Sequence, residues 1–581
     1  MRQGPRIYNL FPLLAGPIEA WHDHLERIAA MGFDWLFVNP FHYPGFSGSL
    51  YAVKDYYRLH PLLAGEGEDG DGLLADFVAA ADRRGIAVMM DLVLNHTAKD
   101  SLLVERHPEW FAREADGSVR SPGAADPDDP SKVTVWGDLA EIDYEGGHRD
   151  ALVGYWNEVV AHYAGLGFRG FRGDAAYKVP AAVWQRIIAA ARGAHPDATF
   201  FAETLGCRPD EVTALHDAGF DYIFNSSKWW DFRAPWLPEQ YEAFRHIAPS
   251  IAFPESHDTE RLAAELLREG VQEPQAIERL YRQRYLFAAT FSTGVMMPMG
   301  FEYGFRRPLH VVETRPEQWE EPLFDLTDFV AETNAMKAAR PALNVEGPQG
   351  FSTGEGAVAL LRRSDETAAA DWALTLVNPD RRRARGIAAA EALGLGATLP
   401  GVEVTPGQSG TRLARDATLR LEPGEVRVFA RMETTRAETE GTMQQTTSER
   451  GAKAPAQAAS ADAEAASITI QDVYPEIDCG RHAVKREVGD LFEVWADIFK
   501  EGHDKIAAVL KVRRQDESSW REVPMQLMEP GLDRWRGAVR LEENARHLYT
   551  LEAWPDPYAT WLDELGKKRG AGQTVALELL E

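Results

Sequence analysis

Short hydrophobic runs alternate with longer amphipathic segments through the first half of the chain. Eight of the runs have the length of buried strands: Ile7–Phe11, Trp35–Asn39, Ile86–Val93, Gly170–Asp174, Thr199–Glu203, Tyr222–Asn225, Ser250–Phe253 and Gly294–Met299. Several of the intervening segments repeat apolar residues at helical spacing, namely Ile18–Met31, Leu73–Arg84, Arg149–Leu166, Ala181–Ala194 and Pro274–Ala289. This alternation predicts an α/β fold, a parallel (β/α)₈ TIM barrel. A doubly wound open sheet is the alternative, but no glycine-rich phosphate loop follows the first strand.

The pattern changes in the second half of the chain. Short alternating runs between residues 346 and 432, such as Val358–Leu361, predict a C-terminal antiparallel β-sandwich. Residues 433–467 are almost only small and polar, so a disordered linker is expected. Alternating strands return over 468–581 and predict a second, immunoglobulin-like β-sandwich. The barrel itself is assigned to residues 1–345.

A long polar excursion follows the third strand candidate. It covers about residues 97–144 and is rich in Asp, Pro, Ser and Gly. Loops of this length are uncommon inside a compact domain and are usually functional. We therefore predict an inserted domain B here, beside the carboxyl end of the barrel.

Composition and charge exclude several function classes. The 581 residues carry a formal net charge of −28, which opposes binding to nucleic acid or to an anionic membrane. The apolar stretch at the N-terminus is short and interrupted, so no signal peptide is expected. Two cysteines, Cys207 and Cys479, fall in different predicted domains, so a reducing, cytoplasmic location is expected. A homo-oligomer is left open.

Four of the strand candidates end in polar clusters. They are Asp91-Leu92-Val93-Leu94-Asn95-His96, Gly170-Phe171-Arg172-Gly173-Asp174, Phe201-Ala202-Glu203 and Glu255-Ser256-His257-Asp258. TIM barrels build their active sites from such strand ends. In this order and spacing the clusters resemble the catalytic regions of the α-amylase superfamily, glycoside hydrolase family 13.

The resemblance implies the catalytic groups. Asp174 would be the nucleophile, Glu203 the general acid/base, and Asp258 would hold sugar hydroxyls and favour a distorted ring. Glu203 would then need a raised pKa, through desolvation and the nearby Asp174 charge. A helix-capping or salt-bridging carboxylate is the ordinary alternative for each of the three.

The resemblance also implies substrate-binding residues. They are Tyr51, which would stack on the sugar ring, His96 and His257, which would bind sugar hydroxyls, Tyr177 and Lys178 on the leaving-group side, and Arg172 beside the nucleophile. Arg172 shares a strand face with Asp174, so it is expected to keep that carboxylate ionised. Gly173 stands where the family usually has a larger apolar residue, and we expect it to loosen the strand locally.

No metal site or cofactor is predicted. Asn95 and Glu141 occupy places where some relatives ligate a structural calcium, so that ion is left open. No histidine or thiolate spacing points to zinc.

The last stretch resembles the N-terminal domain of bacterial glucan maltosyltransferases, which extend α-1,4-glucans from maltose 1-phosphate. The matching motifs lie in 473–481, 484–490 and 497–504. In that family this domain precedes the barrel, whereas here it follows one. The stretch also stops at Glu581, where the family continues, so a truncated domain is one expectation.

These observations predict a retaining α-glucan-active glycosidase or transglycosylase of glycogen or maltooligosaccharide metabolism. The expected substrate is an α-glucan or maltooligosaccharide. One alternative is a maltosyltransferase that uses maltose 1-phosphate as donor. A further alternative is a non-catalytic glucan-binding scaffold, which would be marked by loss of a catalytic carboxylate. None of the three carboxylates is missing.

Overall fold

The chain divides into two compact units, Met1–Gln444 and Gln445–Glu581. The computed structural model describes residues 3–65, 68–125, 133–353, 356–365, 371–389, 394–395, 401–414, 417–431, 468–476, 483–500, 505–517, 519–529, 533–556, 559–561 and 567. The predicted linker at 433–467, Cys479 and parts of the C-terminal motifs lie outside these ranges. The predicted domain boundaries therefore stay predictions.

Eight parallel strands form a closed barrel in the first unit. They are β1 Arg6–Leu10, β2 Trp35–Val38, β3 Ala87–Leu92, β4 Gly170–Gly173, β5 Thr199–Ala202, β6 Tyr222–Phe224, β7 Ser250–Ala252 and β8 Gly294–Pro298. They pair in chain order, and β8 pairs with β1. The prediction of a closed parallel barrel is confirmed, and the open sheet is excluded.

Helices surround the barrel, and amphipathic ones such as α1 (Ile18–Ala30) pack an apolar face inward. In α1 the buried residues are Ile18, Trp21, Leu25 and Ile28, a spacing that makes one stripe along the helix. The longer helices are α1 Ile18–Ala30, α2 Gly70–Asp82, α3 Arg149–Gly165, α4 Ala181–Ala194, α5 Trp236–Phe244, α6 Leu262–Arg268, α7 Pro274–Phe291 and α8 Thr327–Ala338. Pro12–Ala15, Leu102–Arg106 and Pro209–Thr213 are shorter helices.

Apolar side chains fill the barrel interior. They come from seven of the eight barrel strands or their immediate ends, all except β4: Ile7, Phe37, Met89, Phe201, Tyr222, Phe224, Ile251, Phe253 and Met296. A packed interior leaves only the ends of the barrel for chemistry, and the carboxyl ends of the strands are where TIM-barrel sites lie.

The loops after β2 and β3 carry antiparallel hairpins at this end. His42–Pro44 pairs with Val53–Leu59 after β2. Within the insertion after β3, His96–Ala98 pairs with Leu139–Glu141, and Gly123–Ala125 pairs with Val133–Val135. These hairpins stand beside the strand ends and shape the rim of the barrel.

Antiparallel sheets follow the barrel, as predicted. In the first unit the strands are Gln349–Thr353, Val358–Arg363, Trp372–Val377, Arg385–Ala388, Gly401–Thr405, Gln408–Leu413, Thr418–Leu421 and Val426–Arg431. In the second unit they are Ile468–Tyr474, Leu491–Lys500, Ile506–Arg514, Arg521–Pro524, Gln526–Glu529, Arg534–Arg540 and His547–Pro555. Each set encloses its own apolar core. Across the described ranges, no helix is both long and apolar enough to cross a bilayer.

Candidate active site

Most of the predicted site residues border one cleft at the carboxyl end of the barrel. The cleft has a volume of about 460 Å³, within the usual range for small-molecule sites. Its lining includes Tyr51, His96, Asp174, Tyr177, Lys178, Glu203 and Asp258. Arg172 and His257 are buried, 3% and 5% exposed, and they contact lining residues from below.

Asp174 and Glu203 extend from neighbouring strands in register. Gly173 of β4 pairs with Ala202 of β5, so the next residue of each strand is one of these carboxylates. The Glu203 amide donates to the Gly173 carbonyl at 3.1 Å. Parallel neighbours lie about 4.8 Å apart, and the two side chains therefore leave the barrel side by side.

The Glu203 carboxylate is fixed by backbone amides. The amide of Ala175, the residue after Asp174, donates to Glu203 Oε2 at 2.8 Å, and the Leu205 amide donates to Oε1. Ala175 has φ of 40°, a left-handed conformation that turns its amide toward β5. One tight turn thus holds the end of β4 and the acid group of β5 together.

Burial raises the pKa of Glu203 to about 8. The negative charges of Asp174 and Asp258 act in the same direction, while Arg172 and the Leu205 amide oppose them. Glu203 as a whole is 7% exposed. The expected rise is therefore present, and desolvation is its largest cause.

A further buried carboxylate, Asp91, is the main partner of Arg172. Arg172 Nη1 lies 2.7 Å from both oxygens of Asp91 and 3.4 Å from Asp174 Oδ1. Arg172 therefore contacts Asp174, as expected, but its closer partner is Asp91. Asp91 faces Arg172 across the β3–β4 ladder, and burial raises the pKa of Asp91 to about 7 against the opposing effect of Arg172.

Tyr51 is held by a hydrogen-bond network under the cleft. Its hydroxyl donates to Asp91 Oδ2 at 2.7 Å and accepts from Asn39 Nδ2 at 3.0 Å. The same hydroxyl lies 2.7 Å from His257 Nε2, and the two rings are nearly parallel with centroids 5.9 Å apart. Residues from the ends of β2, β3 and β7 are thereby joined.

His257 connects this network to Asp258. Its Nε2 lies 3.0 Å from Asp258 Oδ2, and the Asp258 side chain is 57% exposed. Burial lowers the pKa of His257, which favours the neutral imidazole. Because Tyr51 gives its proton to Asp91, His257 Nε2 is the donor in this arrangement. Asp258 stands at the open edge of the cleft.

The residues considered for calcium do not form a metal site. Both oxygens of Glu141 accept from Arg120, each at 2.7 Å. Asn95 Nδ2 donates to the Asp174 carbonyl at 3.0 Å, and Asn95 Oδ1 contacts His96 Nδ1. A hard cation needs free oxygens at one point, so these two residues do not fit a calcium ion. Among the described residues no cluster of three or more His, Cys, Asp or Glu could hold a metal.

Gly173 does not loosen β4; it makes room for Trp184 of α4. A Cβ at Gly173 would lie 2.7 Å from Trp184 Cη2, inside van der Waals contact. Trp184 is fully buried, and its indole N–H donates to the Ala176 carbonyl at 2.9 Å. The indole ring therefore occupies the space of a larger side chain and supports the turn after Asp174.

Lys178 is the only lysine or arginine among the described lining residues of the cleft. It ends the 3₁₀ turn Ala176–Lys178 and is exposed, with its ammonium 5.2 Å from the Tyr177 ring centre. Five acidic residues share the lining: Asp138, Glu141, Asp174, Glu203 and Asp258. Arg306, which follows β8, is not part of this lining and pairs with Glu320 at 3.0 Å.

The sequence interpretation missed Asp91 and Asn39 as members of the site. Both follow apolar strand runs, and both are fully buried. A signal was available for Asp91, because it belongs to the polar cluster ending the third strand and pairs in register with Arg172. Asn39 carries no motif and is identified only by its contact with Tyr51.

Two family models match different parts of the chain. Residues 466–581 match the family model described as α-1,4-glucan:maltose-1-phosphate maltosyltransferase, domain N/S. Residues 6–113 match the model of the glucanotransferase domain of glycogen debranching enzyme. The recognised resemblances are thereby confirmed for both ends of the chain.

Curated relatives share the name maltosyltransferase. The α-1,4-glucan:maltose-1-phosphate maltosyltransferase of Burkholderia pseudomallei is 34% identical over 99% of this chain, which spans 50% of that relative. The Myxococcus xanthus enzyme of the same name is 50% identical over 20% of this chain and 18% of its own length. The chain therefore spans half or less of these relatives.

Solved structures show the fold of the first unit. The α-amylase of Lactobacillus plantarum superposes with a TM-score of 0.58 at 19% identity, over 74% of this chain and 99% of that one. The Geobacillus thermoleovorans α-amylase gives 0.59 at 16% identity, over 75% and 100%. This chain thus joins a barrel with the fold of the α-amylases to a C-terminal domain similar to domain N/S of the bacterial maltosyltransferases.

Proposed function

We propose that the barrel transfers α-glycosyl units with retention of configuration. The observation that carries this proposal is the adjacent placement of Asp174 and Glu203 in one cleft, set by the β4–β5 register. Retaining enzymes need two carboxyls about 5–5.5 Å apart, whereas inverting enzymes need about 6.5–9.5 Å. Side-by-side positions on neighbouring parallel strands fit the shorter separation.

In this mechanism Glu203 protonates the leaving oxygen while Asp174 bonds to the anomeric carbon. The raised pKa keeps a proton on Glu203 near neutral pH. In the second half, Glu203 takes a proton from the acceptor hydroxyl, which then displaces Asp174 from the sugar. The exposed Asp258 and the lining His96 would bind hydroxyls of the reacting sugar. Arg172 and Asp91 would hold Tyr51 and the nucleophile in position.

The donor we infer is maltose 1-phosphate, with an α-1,4-glucan as acceptor. Support comes from the Burkholderia relative, which matches nearly the whole chain, and from the domain N/S match. These findings favour maltosyl transfer over the broader amylase-type reading. Lys178 is the group that would meet the donor phosphate, since it is the one lysine or arginine in the described lining.

A second candidate is transfer or hydrolysis between maltooligosaccharides. The specific observation in its favour is the acidic lining of the cleft, with five carboxyl groups, Glu203 included, against one ammonium. Such a lining suits neutral sugars better than a phosphate dianion. The debranching-enzyme match over residues 6–113 also supports glucan transfer.

One experiment separates the candidates. The purified protein is incubated with maltoheptaose, with and without maltose 1-phosphate, and the products are resolved by chain length. Phosphate release and chains two glucose units longer, seen only with the donor, support maltosyl transfer. Redistributed or shortened chains in both samples support the second candidate. Unchanged sugars in both samples would contradict catalysis and leave a glucan-binding scaffold.

Matched variants assign the products to this barrel. Asp174→Asn removes the nucleophile while retaining side-chain shape, and it should abolish every product. Under the first candidate, Lys178→Gln should abolish use of maltose 1-phosphate; under the second, it should leave redistribution of maltoheptaose unchanged. Surviving activity in Asp174→Asn would overturn the proposed mechanism. A cytoplasmic location remains our expectation, which fractionation of the producing cells would test.

A further inference from the structure

Trp136 borders the cleft with its indole in solvent. It follows the strand Val133–Val135 of the insertion after β3, and 43% of it is exposed. It shares the cleft lining with Asp174 and Glu203. An exposed tryptophan on a protein surface is common and does not by itself indicate a function. Whether Trp136 has a function therefore depends on where it lies in the cleft and on the residues around it.

The backbone of Trp136 is fixed while its ring is left without partners. The Trp136 amide donates to the Pro122 carbonyl, and its carbonyl accepts from the Leu139 amide, both at 3.1 Å. Within the described ranges the indole makes no hydrogen bond, ring contact or cation–π contact. Trp184, by contrast, is fully buried and contacts the Phe220 ring. The backbone of Trp136 is thus held in place, and its ring presents a free apolar face.

The insertion contributes both apolar and acidic groups to the cleft lining. Pro122, Gly123 and Leu139 share that lining with Trp136, as do Asp138 and Glu141, whereas Asp174, Glu203 and His96 lie at the strand ends. A glucosyl ring has apolar C–H faces and a rim of hydroxyls. Such a ring matches a cleft that offers an indole on one part and hydrogen-bonding groups on another.

We propose that Trp136 is a stacking platform for a glucosyl unit of the bound α-glucan chain. The inference rests on the proposed function only in assigning a glucan to this cleft. It makes Trp136 a specificity-determining residue, which the sequence motifs did not indicate. The ring binds sugar and takes no part in bond breaking.

The test measures binding of maltoheptaose in the full-length Glu203→Gln background, in which turnover is blocked. Isothermal titration compares this protein with versions that also carry Trp136→Ala, Trp136→Phe or Trp554→Ala. Trp554 is a matched control, because it is 44% exposed and lies in His547–Pro555 of the other unit. Melting curves verify that each version is folded.

We expect Trp136→Ala to weaken binding roughly five- to tenfold, as loss of one aromatic contact would. Trp136→Phe should restore most of the affinity, and Trp554→Ala should change it less than twofold. Equal affinity in Trp136→Ala, or no rescue by phenylalanine, would overturn the proposal. If Trp136→Ala weakens binding but the unmutated protein shows no activity, the proposed catalysis is refuted and the stacking role of Trp136 is supported. Absence of maltoheptaose binding in every version would overturn both.

Discussion

At the residue scale, the protonation of Glu203 controls the proposed chemistry. A carboxyl whose pKa is raised to about 8 holds its proton below that pH and loses it above. Because the first step needs the acid form, kcat/KM on maltoheptaose should fall as the pH rises through about 8. A pH profile of kcat/KM for the free enzyme measures this directly. An alkaline limb near the ordinary glutamate pKa of about 4.3 would contradict the buried environment.

The buried Arg172–Asp91 pair should contribute more to stability than any surface pair. Asp91→Asn leaves the Arg172 guanidinium, 3% exposed, without its main counter-charge. We expect a loss of about 3–5 kcal/mol in the stability of the barrel, together with a large loss of activity. Asp150→Asn is the control, since Asp150 pairs with Arg186 but is 90% exposed, and it should cost less than about 1 kcal/mol. Similar melting temperatures for the two variants would refute this difference.

Residue chemistry was predictable where a motif ended a strand. Asp174, Glu203 and His96 follow strongly apolar runs, and the structure brings them to one cleft. The dominant partner of Arg172 was not predictable from two-residue spacing, because the partner lies on the neighbouring strand and depends on register. Trp136 carries no motif at all. Its position depends on how the insertion folds against the barrel.

At the element scale, the packing of β4 against α4 depends on the absence of a Cβ atom at Gly173. Gly173→Val would place atoms within 2.7 Å of the Trp184 ring. We expect a loss of about 1–3 kcal/mol from overpacking, read as a lower melting temperature of the barrel. Gly154→Ala is the matched control, because Gly154 lies inside α3 and a Cβ there meets nothing within 4 Å. That control should stabilise the helix by about 0.5–1 kcal/mol, and a destabilising result would contradict the argument.

The long helices could be predicted from the spacing of hydrophobic residues, whereas the short strands of the insertion could not. Long segments such as α1 and α4 repeat apolar residues every three or four positions, and each is a helix. The hairpin strands of the insertion have only three residues each. Three residues are too few to establish a period of two, so their pairing is decided by contacts with the barrel.

At the scale of the whole molecule, the chain should unfold in two steps. The two compact units, Met1–Gln444 and Gln445–Glu581, have separate apolar cores. Cooperative units with separate cores commonly give separate transitions, so calorimetry of the full chain should resolve two heat-absorption peaks. A chain ending at Gln444 is the control and should retain only the barrel peak. One indivisible peak in the full chain would show that the units unfold together.

The amide of Ala175 prearranges the two groups of the proposed reaction. It ties the Glu203 carboxylate at 2.8 Å to the turn that carries Asp174, through the left-handed backbone of a residue that has a side chain. The spacing of the two reacting groups is therefore built during folding, before any sugar arrives. Because the two groups are preorganised, little reorganisation energy is required at the moment of reaction. Induced fit in this protein should accordingly be confined to the rim loops, while the proposed catalytic pair keeps the same coordinates in the free and the sugar-bound state.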